Sequence, residues 1–172
     1  MAASALTFGM AGCGFATSKA TVITEINVSS PQLRDQAPLP AAYSCKKSPG
    51  VSPPLRWSSE PLPNAKSIAI VVDNSTEHES AMQWVMYNID PRTTELGEDA
   101  AASPPEGSTQ ARLPGGKIGY VAPCAPDGNY RFSVYALSGR VDAKEGAPLP
   151  EILKQIADQT IAHGRLTAVH IE

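Results

Sequence analysis

The side chains best suited to chemistry in this sequence are three histidines, His78, His163 and His170, together with three cysteines. No pair of histidines has the spacing of metal ligands, and the cysteines form no Cys-x-x-Cys motif. The G-x-S-x-G motif of hydrolases and the glycine-rich loop that cradles phosphates are also absent from the sequence. The residues therefore predict a protein that is not an enzyme and that uses neither a metal nor a cofactor.

The first cysteine, Cys13, follows a short segment of small, uncharged and mainly apolar residues. This segment, residues 1–12, resembles the end of a bacterial lipoprotein signal, in which the cysteine after small residues receives a lipid such as palmitate. Residues 13–20 are then a tether and residues 21–172 the folded domain. This interpretation places the protein in the bacterial cell envelope, lipid-anchored to the membrane or secreted. Because no basic residues precede the segment, two alternatives stay open: a true start further upstream, or a chance Ala-Gly-Cys in a floppy N-terminus.

The other two cysteines, Cys45 and Cys124, form an even pair if Cys13 carries lipid. An even count in an exported chain permits one disulfide. Sequence alone does not show whether the two residues meet, so two small buried thiols are the alternative.

The composition predicts one mostly β domain. A chain of 172 residues is long enough to bury a core, and its net charge of −3 gives no indication of nucleic-acid binding. Sixteen prolines and thirteen glycines, well scattered, favour many turns and short strands. No apolar run reaches the roughly 18 residues of a membrane-spanning helix.

Alternating and continuous apolar patterns predict the secondary structure. Residues 66–73 and 81–90 are apolar runs typical of buried central strands, and their proximity in sequence favours an antiparallel pair. Apolar residues at helical spacing predict a helix over residues 150–163, with His163 in its last turn and Gly164 after it. The further strands are predicted at residues 21–28, 55–58, 130–137 and 165–172, with residues 41–45 extended. The expected fold is two packed antiparallel sheets with a helix near the C-terminus.

Two loops stand out for function. Residues 119–129 are rich in glycine and proline and lead directly into the strand at residues 130–137, an arrangement that can shape a pocket. Residues 91–114 form a long stretch of low apolar content, and a loop of that length is usually functional or mobile.

Five further segments follow one another along the chain: YSC at residues 43–45, SPPLRWS at 52–58, KSIAIVVD at 66–73, QWVMYNI at 83–89 and GYVAPCAPDGNYRFSVYAL at 119–137. In this order they resemble the phosphatidylethanolamine-binding protein family, most closely its bacterial Raf kinase inhibitor-like branch. The resemblance implies a large antiparallel sheet packed on a smaller one, with a C-terminal helix. It also implies a small anion-binding pocket, and relatives that inhibit kinases or proteases.

The sequence departs from the family at the residues that line this pocket. Asn74 and Thr76 stand where the family's D-P-D-A-P loop has its two acids, and Gln83 stands where the family has a histidine before Trp84. Tyr130 and Phe132 replace a histidine and a tyrosine, whereas Arg131 is kept. The candidate ligand-binding residues of this degenerate pocket are Asp73, Asn74, Gln83, Trp84, Tyr120, Pro123, Tyr130 and Phe132.

The loss of the two histidine donors, at Gln83 and Tyr130, determines which ligand we expect. A hydrogen bond to a charged group contributes about 1.5–3 kcal/mol, so losing two weakens anion binding some 10²–10⁴-fold. Either the pocket has closed around Tyr130, Phe132 and Trp84, or its amides and hydroxyl bind a neutral polar ligand. We therefore expect a non-enzymatic binding protein of the envelope. Its partner is a small neutral or weakly anionic ligand or a protein, with membrane contact only through the lipid anchor. The alternative is an inhibitor of an envelope protease or other enzyme.

Overall fold

The structure, a computed structural model, describes residues 23–47, 50–58, 64–75, 80–143 and 147–171. The predicted signal remnant, tether and Cys13 lie outside the described residues, and so do Thr76 and His78. Within the described part of the chain, no helix combines the length and apolar character that crossing a bilayer requires.

Two sheets and one α-helix make up the described fold. The strands are β1 (Thr24–Glu25), β2 (Val28–Ser29), β3 (Ala37–Leu39), β4 (Leu55–Trp57), β5 (Ser67–Ser75), β6 (Ser80–Ile89), β7 (Glu95–Leu96), β8 (Thr109–Gln110), β9 (Asn129–Leu137) and β10 (Thr160–Ile171), and the helix is α1 (Leu149–Gln159). The main sheet has seven strands in the order β1-β10-β9-β5-β6-β8, with β3 also on β10, and the small sheet has the order β2-β4-β7. This arrangement is mostly β, with one large sheet, one smaller sheet and a C-terminal helix, as the sequence predicts.

The four long strands of the main sheet pair antiparallel throughout. The prediction of two central antiparallel strands is confirmed, since β5 pairs with β6 over nearly its whole length. The edge differs from expectation, because the short strands β1 and β3 both run parallel to β10.

The two faces of the main sheet carry two separate hydrophobic clusters. One face packs on the small sheet, with Ile70, Val72 and Phe132 of the main sheet in the same cluster as Leu55 and Trp57. The other face, which includes Val71 and Val85, is covered by helix α1 through Ile152 and Ile156. Alternate residues of β5 therefore belong to opposite layers of the molecule.

The helix is shorter than predicted. It ends at Gln159, and the next residue already belongs to β10, which continues for 12 residues. His163, predicted in the last helical turn, therefore lies in a strand, and Gly164 lies within that strand rather than after a helix. The apolar spacing continues past Gln159 because alternate residues of β10, such as Ala162, are buried by the core. Pairing with β9 decides the conformation there.

Two other predictions are wrong in detail. The single strand predicted at residues 21–28 is instead two short strands, and these join different sheets: β1 pairs with β10, and β2 with β4. The segment predicted to be extended contains a 3-10 helix, Ala41–Tyr43. The structure also shows that residues 91–114 supply two strands, β7 and β8, so this segment is part of the sheets rather than a free loop.

A disulfide joins Cys45 to Cys124, whose Cα atoms lie 5.2 Å apart. The backbone N–H of Cys45 also donates to the carbonyl of Pro123 at 3.0 Å. The disulfide therefore attaches the loop before β9 to the segment that follows the 3-10 helix.

Candidate functional site

The substituted family positions lie together at one end of three neighbouring strands. Asn74 is near the end of β5, and it pairs with Tyr130 of β9 on one side and Ala81 of β6 on the other. Gln83 lies on β6 within a β-bulge, because Val72 pairs with Trp84 while Asp73 pairs with Met82. The structure thus places Asn74, Gln83 and Tyr130, which come from three separate segments of the sequence, on neighbouring strands.

Three aromatic side chains at this end are completely buried. Trp84, Tyr130 and Phe132 each have 0% of their surface exposed, and all three belong to the cluster between the sheets. Tyr120 packs against this cluster, with its ring 6.1 Å from that of Trp84 in an edge-to-face arrangement. Much of the space that the sequence assigned to a pocket is therefore filled with aromatic rings.

The hydroxyl and indole donors here are all used within the protein. Tyr130 donates to the carbonyl of Ala125, and Tyr120 donates to the carbonyl of Tyr43 at 2.7 Å. Trp84 Nε1 donates to Gln110 Oε1 at 2.6 Å. None of these groups can donate to a ligand without losing its present acceptor.

The tyrosine hydroxyls also stay protonated well above neutral pH. Burial, followed by the neighbouring Tyr130 and Tyr43, raises the pKa of Tyr120. Burial and the charge of Asp127 raise the pKa of Tyr130. Burial and the hydrogen bond that Tyr43 donates to Glu98 raise the pKa of Tyr43 to about 12. The hydroxyls are therefore neutral donors, and each is already committed to a carbonyl or carboxylate oxygen.

Two buried acceptors at this end have no partner. Asn74 and Gln83 are only 6% and 8% exposed, and neither Asn74 Oδ1 nor Gln83 Oε1 accepts a hydrogen bond. Asn74 lies directly against Gly128, where a Cβ atom would collide with the Asn74 amide. Buried oxygens of this kind are rare, because an unsatisfied acceptor costs about 1–3 kcal/mol.

Asp73 does not belong to this group. It lies on the helix-covered face with Val71, opposite the face of Asn74, and forms an ion pair with Arg131. The prediction that Asp73 lines the pocket needs this correction, and the reason is the alternation of side chains along a strand. Arg131, which sequence treated as retained scaffold, is the partner of Asp73 on that other face.

Pro123 is buried in the loop that the disulfide fixes.

The sequence did not predict the roles of Tyr43 and Gln110. The Tyr43 carbonyl accepts the hydrogen bond of Tyr120, and the Gln110 side chain accepts that of Trp84. Their spacing in the sequence gives no signal, since both act across long separations. In the described residues no group of three or more histidine, cysteine, aspartate or glutamate side chains is placed to hold a metal.

The family model described as phosphatidylethanolamine-binding protein matches residues 29–171, which include every residue of the site. The chain belongs to the phosphatidylethanolamine-binding protein family. This confirms the resemblance seen in the five sequence segments.

Individual relatives agree with the family assignment. A UPF0098 protein of Methanothermobacter thermautotrophicus is 31% identical over 150 residues, covering 84% of this chain and 98% of the relative. LppC of Mycobacterium tuberculosis, whose name describes it as a candidate lipoprotein, is 32% identical over 156 residues. The matched region covers 88% of this chain and 75% of LppC. The crystal structure of CT736 of Chlamydia trachomatis, described as a homologue in this family, superposes with a TM-score of 0.73 at 28% identity, covering 87% and 99% of the two chains.

Proposed function

We propose that this protein is a non-enzymatic binding protein whose site at the end of β5, β6 and β9 accepts a small neutral ligand rich in hydrogen-bond donors. The observation that carries the proposal is the pair of buried, unpartnered oxygens, Asn74 Oδ1 and Gln83 Oε1. A ligand that offers hydroxyl or amide N–H groups would remove the cost of these unsatisfied acceptors.

The balance of donors and acceptors argues against a phosphate ligand. An anion needs free donors, and the donors of Tyr120, Tyr130 and Trp84 are occupied. The buried atoms without a partner at this end are two amide oxygens, Asn74 Oδ1 and Gln83 Oε1, and an oxygen of this kind repels an anion. The substitutions therefore favour a change of ligand class over a weakened form of the family's anion site.

We place this binding activity in the cell envelope, with Cys13 as the lipid-bearing residue. The similarity to LppC, whose name describes a candidate lipoprotein, supports this location. The disulfide between Cys45 and Cys124 supports it as well, because disulfides persist mainly in exported proteins.

NMR titration of the isotopically labelled protein tests the ligand class. Glycerol, which presents three hydroxyl groups, is compared with inorganic phosphate at the same ionic strength. We expect glycerol to shift the backbone and side-chain amide signals of Asn74 and Gln83, whereas phosphate leaves them unchanged. Native mass spectrometry of protein from its own host then identifies any co-purifying ligand and any acyl group on Cys13.

Two variants make the test specific. Gln83→Met keeps the length of the side chain but removes its oxygen, so the glycerol response should disappear. Gln32→Met makes the same change at an exposed position and should leave the response intact. A phosphate response at Asn74 and Gln83 that exceeds the glycerol response would overturn the proposed ligand class. If neither probe shifts these signals and no molecule co-purifies, the site is a closed part of the hydrophobic core.

The inhibitor alternative relies on residues 91–114 docking into an enzyme. In the structure this segment carries β7 and β8 and buries Leu96, Ala111 and Leu113. Its deletion would therefore damage the fold and could not test inhibition. No described contact favours inhibition, so ligand binding remains the function that we propose.

A further inference from the structure

A cavity lies on the opposite face of the main sheet from the Asn74–Gln83 site. It has a volume of about 220 Å³ and lies between helix α1 and the strands β5, β6, β9 and β10. Ala157 of the helix and Arg165 of β10 line this cavity and are exposed, so its mouth opens to solvent between these two elements. The sheet separates the two sites, and the inference below does not rest on the proposed function.

Much of the cavity lining is apolar. Val71 and Met82 line it from the sheet, and Leu153 and Ile156 line it from the helix. Val71 and Ile156 are part of the hydrophobic cluster beneath the helix, and Met82 and Leu153 pack against that cluster. Such walls favour an aliphatic or aromatic group over a fully polar one.

The lining of the cavity also carries an excess of positive charge. It includes three charged residues, Asp73, Arg131 and Arg165. Asp73 and Arg131 neutralise each other in a two-point ion pair, through Nε–Oδ1 at 3.1 Å and a second contact between the terminal guanidinium nitrogen and Oδ2. Arg165 donates from Nε to Ser133 Oγ at 3.2 Å, and no carboxylate among the described residues pairs with it.

The helix does not cancel this charge. Asp158, the residue after Ala157, forms an ion pair with Lys154 on the helix itself. The terminal nitrogens of Arg165 therefore remain as charged donors beside an apolar cavity. Guanidinium geometry matches the two oxygens of a carboxylate.

We propose that this cavity binds a small monocarboxylate with a short apolar chain, its carboxylate on Arg165 and its chain between Leu153, Ile156 and Val71. The volume sets the size of the ligand. It is below the roughly 300–1,000 Å³ of pockets for drug-sized molecules. It corresponds to about seven water volumes at roughly 30 Å³ each, which suits a chain of a few carbons.

Hexanoate is the probe, and amide NMR signals of the labelled protein are the readout. We expect millimolar hexanoate to shift the signals of Leu153, Ala157 and Arg165 while leaving those of Asn74 and Gln83 in place. Hexanol and hexylamine have the same chain without the anion and should produce much weaker shifts. Since a hydrogen bond to a charged group is lost, Arg165→Gln should weaken hexanoate binding about tenfold or more.

Two further variants complete the test. Arg112→Gln removes an exposed arginine whose guanidinium contacts the Gly116 carbonyl and does not line the cavity, so it has the same effect on net charge and should bind hexanoate normally. Ala157→Phe fills the mouth and should abolish binding with Arg165 intact. Equal binding of hexylamine, full binding by Arg165→Gln, or no shift at Leu153 and Ala157 with hexanoate would each overturn the proposal.

Discussion

At the scale of single residues, the two unpartnered oxygens lower the stability of the ligand-free protein, whereas in our proposal they accept hydrogen bonds from a ligand. Gln83→Met and Asn74→Leu each replace a buried, unsatisfied amide by an apolar side chain of similar size. We expect each variant to raise the free energy of unfolding by about 1–3 kcal/mol, because the cost of an unsatisfied buried group is removed. Urea denaturation of ligand-free protein measures this change. A loss of stability in both variants would mean that the amides make stabilising contacts in the free protein.

His163 gives a second residue-scale prediction. Its ring stacks on Tyr135 with centroids 4.6 Å apart, and its Nε2 is buried without a partner. Burial, and then the charge of Arg165, lower its pKa below the usual value near 6.5. The unfolded chain therefore binds a proton more readily, so this group causes stability to fall as the pH drops below about 6.5 towards the folded pKa. Above that range the contribution does not change with pH.

Unfolding experiments between pH 5 and pH 8 check this sign. The decline in stability on acidification should be smaller in His163→Gln, which cannot gain a proton. His170 is exposed on the same strand, so His170→Gln should retain the decline of the parent protein. Identical pH profiles for His163→Gln and the parent would show that other groups control the acid response.

At the scale of elements, Gly164 allows close contact between β10 and the chain around β1. A Cβ atom here would collide with the backbone carbonyl of Ile26 and crowd the side chain of Val28. Gly164→Ala should therefore destabilise the protein by about 1–3 kcal/mol or more, since backbone must move to make room. Gly97→Ala is the matched control, because nothing lies within 4 Å of its added methyl group. Thermal unfolding compares the two, and equal melting temperatures would contradict the close-contact role.

The elements with an unambiguous local pattern are the ones that sequence predicts well. The apolar runs of β5 and β6 and the alternation of β9 appear in the structure with boundaries close to those expected. The boundary between α1 and β10 is different, because Thr160 and Ile161 continue a pattern that suits either state. The pairing of β10 with β9 determines the conformation of these two residues. A short segment of sequence does not reveal a pairing between distant strands.

The candidate site shows the same limit. The family resemblance locates the substituted positions in the sequence. It does not show which face of the sheet each side chain occupies, because a difference of one residue in strand register moves a side chain to the other face. Asn74 faces the core between the sheets and Asp73 the helix, although they are neighbours in the sequence. The acceptors Tyr43 and Gln110 come from distant segments, so no spacing rule could have shown that the aromatic donors are already occupied.

At the scale of the whole molecule, the disulfide connects two segments separated by 79 residues. Closing a loop of this length restricts the unfolded chain, and such bonds typically contribute about 2–4 kcal/mol. The bond also fixes the loop before β9, whose Ala125 carbonyl accepts from Tyr130. The disulfide therefore couples global stability to the order of the candidate site.

The double variant Cys45→Ser, Cys124→Ser tests this coupling without leaving an unpaired thiol at either position of the bond. We expect it to unfold at lower denaturant concentration than the oxidised parent, by about 2–4 kcal/mol, and to broaden the amide signals of residues 121–128. The parent protein under reducing conditions should behave like the double variant, because both lack the same bond. A double variant as stable as the oxidised parent would mean that Cys45–Pro123 backbone contacts suffice to hold the loop. Loss of stability without any change in the signals of residues 121–128 would mean that the bond stabilises the fold but does not order the loop at the site.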